Sequence, residues 1–154
     1  MQTDVQSKCL YLDNVQVGDR FISAEHPMDA DQIVAFAKVY DPQPFHLSET
    51  AARATMFKGL AASGWQTAAV TMKLLVGSMP LADGIIGAGG QISWPSPTRP
   101  DDILHTESTV TDIKPSRSKP DQAIVTVETI TLNQDSEVRQ QLIAKLVLFK
   151  RPGD

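Results

Sequence analysis

The stretch from Trp65 to Met79 constrains the fold more than any other part of the chain. It carries Trp65, Ala68, Ala69, Val70, Met72, Leu74, Leu75, Val76 and Met79, so apolar side chains go most of the way round a helix. A helix of that kind is a buried, central one. Gly77 and Pro80 end it. From about Gly84 onward the apolar period changes to two. Ile85–Trp94, Ile103–Ile113, Ala123–Leu132 and Leu142–Phe149 read as strands, with turns at Pro95–Asp102, Pro115–Asp121 and Asn133–Ser136. This pattern predicts an antiparallel meander, and an early strand near Arg20–Ala24 completes the sheet. Gly87, Gly89 and Gly90 lie inside the first long strand and predict a bulge or a close backbone approach, not a phosphate cradle. One apolar helix and one antiparallel sheet make an α+β layout, with the helix lying on the sheet.

Upstream, Asp29 opens a helix with Gln32 three residues on, as in a capping box. Ile33, Phe36, Ala37 and Tyr40 recur at helical spacing, which predicts one buried face. Pro42 and Pro44 stop that helix, because Pro lacks the N–H and disfavours a helical residue before it. Ser48 caps a short second helix running to about Thr55. Met56, Met72 and Met79 read as adaptable core filler, and His26 and His105 as surface or strand histidines.

With 154 residues the chain has the size of one domain. That domain is expected to span 1–154, with an ordered core from about 15 to about 150. The 18 acidic side chains outnumber the 14 basic ones, the reverse of what sequence-independent nucleic-acid binding requires. The single Cys9 excludes an internal disulfide framework and a cysteine metal cluster, and reads as an unpaired thiol. The opening MQTDVQSKCLYLDNV has neither the basic lead nor the apolar core of a signal peptide. Thr71, Lys73, Gly77 and Ser78 interrupt the longest apolar stretch, which falls short of a membrane span. The expectation is a soluble, cytoplasmic protein.

His26, His46 and His105 are far apart and lack metal-ligand spacing, and no HExxH, GxSxG, Walker A or dinucleotide glycine motif is present. The segment that carries chemistry is Tyr40-Asp41-Pro42-Gln43-Pro44-Phe45-His46. Asp41 and His46, five apart, would point to different faces of a helix and opposite faces of a strand. The two prolines forbid the helix and favour a bent loop, which can fold both side chains toward one point. A carboxylate and an imidazole converging on one water form a general acid/base pair. A helix-end Asp followed by an ordinary loop His has the same spacing, and the residues alone leave both readings open.

The run Phe36-Ala37…Asp41-Pro42-Gln43-Pro44-Phe45-His46-Leu47 resembles the hydratase motif of MaoC-like (R)-specific enoyl-CoA hydratases. That motif is an Asp, then Asn-Pro, then His, with the same five-residue step. Phe57-Lys58-Gly59-Leu60-Ala61-Ala62-Ser63-Gly64-Trp65 resembles the entry to that family's central helix, with Ser63-Gly64-Trp65 standing where His-Gly-Met is usual. Trp94-Pro95-Ser96-Pro97…Arg99-Pro100-Asp101-Asp102 resembles the family's strand and turn. Gln43 replaces the motif's Asn, and Met72 falls near the helix serine of some relatives.

The resemblance implies a hot dog fold, a long helix wrapped by an antiparallel sheet, and hydration or dehydration of trans-2-enoyl thioesters. It implies that Asp41 and His46 hold the water and shuttle a proton to the α-carbon. The Gly64 N–H, at a helix start, stabilises the thioester oxygen. Gln43, Phe45, Ser63, Trp65, Arg99 and Arg117 form the substrate-facing set. Within it, Trp65, like Trp94, is read either as packing or as acyl lining. Arg117, in the basic loop Lys114–Pro120, is read either as a phosphate contact or as part of a solvated turn, and Arg99 has the same standing. No metal or cofactor is implied beyond the coenzyme A of the substrate. The implied assembly is a homodimer through the sheets, or a dimer of dimers. A thioesterase or a non-catalytic acyl-thioester-binding subunit on the same fold are the alternatives.

Overall fold

The computed structural model describes residues 9–153; the first eight residues, part of the segment expected to lack a signal peptide, and Asp154 lie outside it. In chain order the elements are β1 (Arg20–Ile22), β2 (His26–Pro27), α1 (Ala30–Tyr40), α2 (Pro44–Leu47) and α3 (Glu49–Arg53). Then come α4 (Gly64–Ser78), β3 (Gly87–Ser93), β4 (Ile103–Pro115), β5 (Gln122–Leu132) and β6 (Val138–Phe149). The sheet order is β1-β4-β5-β6-β3, with β2 beside β4, and every pairing between these strands is antiparallel. This is the expected helix-on-sheet arrangement. Only β4-β5-β6 is a meander: β3 lies on the far side of β6 instead of beside β4. The link from β3 to β4, residues 94–102, therefore has to cross to the other side of the sheet, and it passes the start of α4, where the Ala62 N–H donates to the Thr98 carbonyl at 2.9 Å.

Local chemistry explains the elements. Asp29 caps α1 by accepting the Gln32 N–H at 2.8 Å, and the Gln32 amide returns to the Asp29 carboxylate at 2.8 Å. Ile33 and Ala37 are fully buried. Tyr40 is not buried as its spacing predicted; at the last turn it is 71% exposed and stacks on half-buried Phe36 at 5.0 Å. The second expected helix is shorter, Glu49–Arg53, and Ser48 caps it as predicted, accepting the Ala51 N–H at 3.2 Å. Strand β6 begins four residues before the predicted start, because the polar run Arg139-Gln140-Gln141 conceals it.

Helix α4 is covered on two sides only. Leu74 and Val70 face Ile33, Leu60 and Leu104 in one apolar cluster. Leu75 and Met79 face Val110, Val125, Val127, Leu146 and Leu148 in another. Trp65, Met72 and Val76 remain exposed, so the helix is not enclosed all round as its composition predicted, and Met56, at 86% exposure, is no core filler. Nearer its N-terminus the interior is polar. Thr71 meets Thr131 at 2.7 Å and Ser108 meets Thr129 at 2.8 Å, all buried.

The expected glycine bulge is present between Gly87 and Gly89, and Gly89 has a φ of +136°, a conformation closed to most side chains. A Cβ on Gly90 would run into the Ile143 carbonyl oxygen across the β3–β6 pair, whereas one on Gly87 would meet nothing. Gly90→Ala is therefore expected to cost about 1–3 kcal/mol and Gly87→Ala under about 0.5 kcal/mol, read by chemical denaturation of both variants.

Candidate active site

Asp41 terminates α1, its N–H donating to the Ala37 carbonyl at 2.9 Å. The Gln43 N–H donates back to the Asp41 carbonyl at 2.8 Å, closing a tight turn. The next residues are not the bent loop predicted from the prolines. Pro44 is the first residue of the one-turn helix α2, a position where its missing N–H costs nothing. That extra turn swings His46 back toward Asp41. The His46 Nε2 lies 3.2 Å from Asp41 Oδ2, and both side chains are mostly buried.

The other polar groups fix the pair. His46 Nδ1 lies 2.6 Å from the Ala61 carbonyl oxygen. A carbonyl only accepts, so Nδ1 carries the hydrogen. In the neutral imidazole, Nε2 then presents a lone pair to a carboxylate that also only accepts. The two acceptor atoms therefore converge on one point, where a water can donate to both. The Ser63 hydroxyl donates to Asp41 Oδ2 at 2.7 Å and accepts the Trp65 N–H at 3.3 Å as the cap of α4. The Gln43 amide donates to Asp41 Oδ1 at 2.5 Å. Burial pushes the Asp41 carboxyl up, but the Ser63 hydroxyl, the Gln43 amide and His46 together outweigh it and hold the group below the ordinary carboxylate range.

A cleft of about 440 Å³ opens beside the pair, lined by Gln43, Phe45, His46, Met56, Phe57, Gly64, Thr67, Trp94, the 95–98 segment and Arg139. Phe45 stands edge-on to His46 at 4.6 Å. Gly64 is the first residue of α4, so its N–H belongs to the first turn, which has no intrahelical acceptors. The space of its missing Cβ is taken by the Trp94 indole, which a methyl group there would approach within 2.7 Å. Trp94 is held by its Nε1–H to Gln140 Oε1 at 2.9 Å and by an edge-on contact with Trp65 at 5.4 Å.

The remaining candidates are placed differently. Ser63 touches Asp41 and does not line the cleft; Trp65 is 62% exposed outside it. The Arg99 guanidinium is bound to the carbonyls of Phe57, Gly59 and Leu60 at 2.5–3.3 Å, holding the approach to α4. Arg117 lies in the exposed β4–β5 turn, the length of β4 away from Asp102, about 40 Å. A wider groove of about 710 Å³ crosses the outer sheet face and contains none of these residues. Among the described residues, no His, Cys, Asp or Glu cluster forms a candidate metal centre.

The sequence reading missed Arg139. Val138 pairs with Leu132 and Gln140 with Thr131, so Arg139 is the extra residue of a bulge, which turns it inward beside Gln140. Its Nε and Nη2 grip the Asp102 carboxylate at 2.8 and 3.1 Å. The available signal was a polar run inside an otherwise apolar strand.

The MaoC like domain matches residues 13–133. The chain belongs to the MaoC-like family. It is 34% identical over 142 residues to the uncharacterized protein YdeM of Bacillus subtilis (strain 168), covering 91% of this chain and 99% of that one. The crystal structure of a MaoC-like dehydratase from Rhodospirillum rubrum is 60% identical with a TM-score of 0.92, over 94% of this chain and 99% of that one. The (R)-hydratase from A. caviae is 27% identical with a TM-score of 0.70, over 90% and 98%. The helix-on-sheet architecture is thus the hot dog fold of the MaoC-like proteins, and the family and these neighbours support a hydratase or dehydratase activity.

Because the Asp41 carboxyl lies below its unfolded value, it adds stability above the unfolded pKa of about 3.9, and that stability is lost as pH falls through the folded value. Asp41→Asn removes this contribution. The wild type is expected to lose more stability than the variant between about pH 5 and pH 3, measured by denaturation at each pH.

Proposed function

We propose that the protein adds water to, or removes it from, the C2=C3 bond of a trans-2-enoyl-CoA thioester. The observation that carries this reading is the Asp41–His46 pair, 3.2 Å apart, beside a cleft that also holds the first residue of α4. Hydration forms a C3–O bond and a C2–H bond, so one group must take a proton from water and return one to carbon. A carboxylate and an imidazole converging on one water suit that task. Negative charge gathers on the thioester oxygen during the step. The Gly64 N–H, at the positive end of a 15-residue helix, is suited to receive it. Ser63 and Gln43 hold the carboxylate in register and leave it ionised. Phe45 and Phe57 supply an apolar wall.

The reading is tested with a ladder of trans-2-enoyl-CoA thioesters, following loss of the conjugated chromophore and, in parallel, free thiol. Chromophore loss without thiol is expected. Asp41→Asn and His46→Gln should each slow it by about 10²-fold or more, with the fold retained. Thiol release instead would make the protein a thioesterase; no turnover on any chain would favour a binding subunit.

The reading includes a homodimer, or a dimer of dimers, joined through the sheets. Strand β3 is bonded to β6 on one side only and is exposed along nearly its whole length, which supports edge pairing between copies. Sedimentation equilibrium is expected to return at least twice the 16.8 kDa chain mass. A monomer at micromolar concentration would rule the assembly out.

A further inference from the structure

The cleft is not a plain hydrocarbon slot. Its rim is formed by exposed Gln43, Met56, Trp94 and Pro95, and a coenzyme A arm leaves across that rim. The acyl tail then points to the buried end. There the lining includes Arg139, 6% exposed, and the Thr67–Thr98 hydroxyl pair, 2.8 Å apart and buried. Arg139 uses Nε and Nη2 on Asp102 and Nη1 on Ser96 at 2.9 Å. A guanidinium has five N–H groups, so it retains donor capacity. Beside it, the fully buried Gln140 has its Nε2 without a protein partner among the described residues.

Burying this much donor capacity beside an alkyl tail is unfavourable, since a hydrocarbon satisfies none of it. The charge at this end is also informative. Asp102 cancels Arg139, and the half-exposed Glu137 carboxylate lies 3.7 Å from Nη1. The local sum is not positive, so the site offers donors without offering net attraction to an anion.

We propose that the acyl group is short and carries a neutral oxygen acceptor, a hydroxyl or carbonyl, at its end remote from the thioester, received by Arg139 and the Thr67–Thr98 pair. The proposal rests on the hydration reading above. A site built to hydrogen-bond a substrate oxygen discriminates strongly against the analogue that lacks it.

The test uses the full chain with three probes: trans-2-butenoyl-CoA, its 4-hydroxy derivative, and the mono-CoA thioester of trans-butenedioic acid. The expected kcat/KM is at least tenfold higher for the 4-hydroxy probe than for the unsubstituted one, with the carboxylate probe no better than the unsubstituted one. The double variant Arg139→Met with Asp102→Asn removes both charges together and should bring the hydroxyl preference close to one. If that variant does not fold, Thr67→Val, which removes one hydroxyl at nearly constant shape, should lower the same ratio severalfold. Equal or better turnover of the unsubstituted probe overturns the proposal and leaves the hydration reading intact. So does a preference for the carboxylate, or an unchanged ratio in the folded variants. If none of the three probes, nor any chain of the enoyl ladder, is hydrated, the hydration reading fails and this proposal falls with it.

Discussion

The geometry around His46 hangs on the Asp102 carboxylate. It accepts Arg139 Nε and Nη2 from β6, Asn133 Nδ2 from the β5–β6 turn, and the Arg99 N–H from the crossover segment. Burial pushes this carboxyl up, but the Arg139 guanidinium, the Arg99 N–H and Asn133 outweigh it and hold it low. The crossover is thereby tied to the end of the sheet. From it, the Thr98 carbonyl receives Ala62 N–H, and the Arg99 guanidinium grips three carbonyls between Phe57 and Leu60. That segment in turn presents the Ala61 carbonyl to His46 Nδ1. Removing one member of a buried ion pair costs about 3–5 kcal/mol, since the survivor is left charged and unpaired. Here the cost would extend to the histidine's tautomer.

Much of this was legible in the sequence. Asp29 and Ser48 were read as helix caps because short polar side chains followed by helical apolar spacing have a local cause. The long strands were read because alternation over ten residues has one explanation. The Asp41–His46 pair and Gly64 were picked out by motif. What was not legible has long-range causes. Pro44 starts a helix instead of preventing one, because its position relative to the turn decides which. Arg139 is turned inward by a bulge that depends on the register with β5. Arg99 was read either as a phosphate contact or as part of a solvated turn, and its use on three backbone carbonyls depends on a crossover no local pattern reveals. The place of β3 beside β6 is of the same kind.

The interior is divided in a way that matters for the site. Toward the C-terminal end of α4, Leu75, Met79 and the valines of β4 and β5 form an apolar core. Toward its N-terminal end, threonines, Gln140 and Arg139 replace them. An all-apolar interior there would be simpler to stabilise, because each buried hydroxyl needs a partner. The polar half coincides with the half that borders the cleft, so the departure from ordinary core composition tracks the cleft.

Ser63 links two things that are usually separate. Its hydroxyl hydrogen goes to Asp41 while its lone pair receives the Trp65 N–H. The charge on Asp41 polarises that hydroxyl, and the polarisation reaches the first turn of α4 through one oxygen atom. The Trp65 amide is therefore an internal reporter of the Asp41 carboxylate. Its resonance frequency and its exchange with solvent carry the protonation state of a carboxylate it never touches.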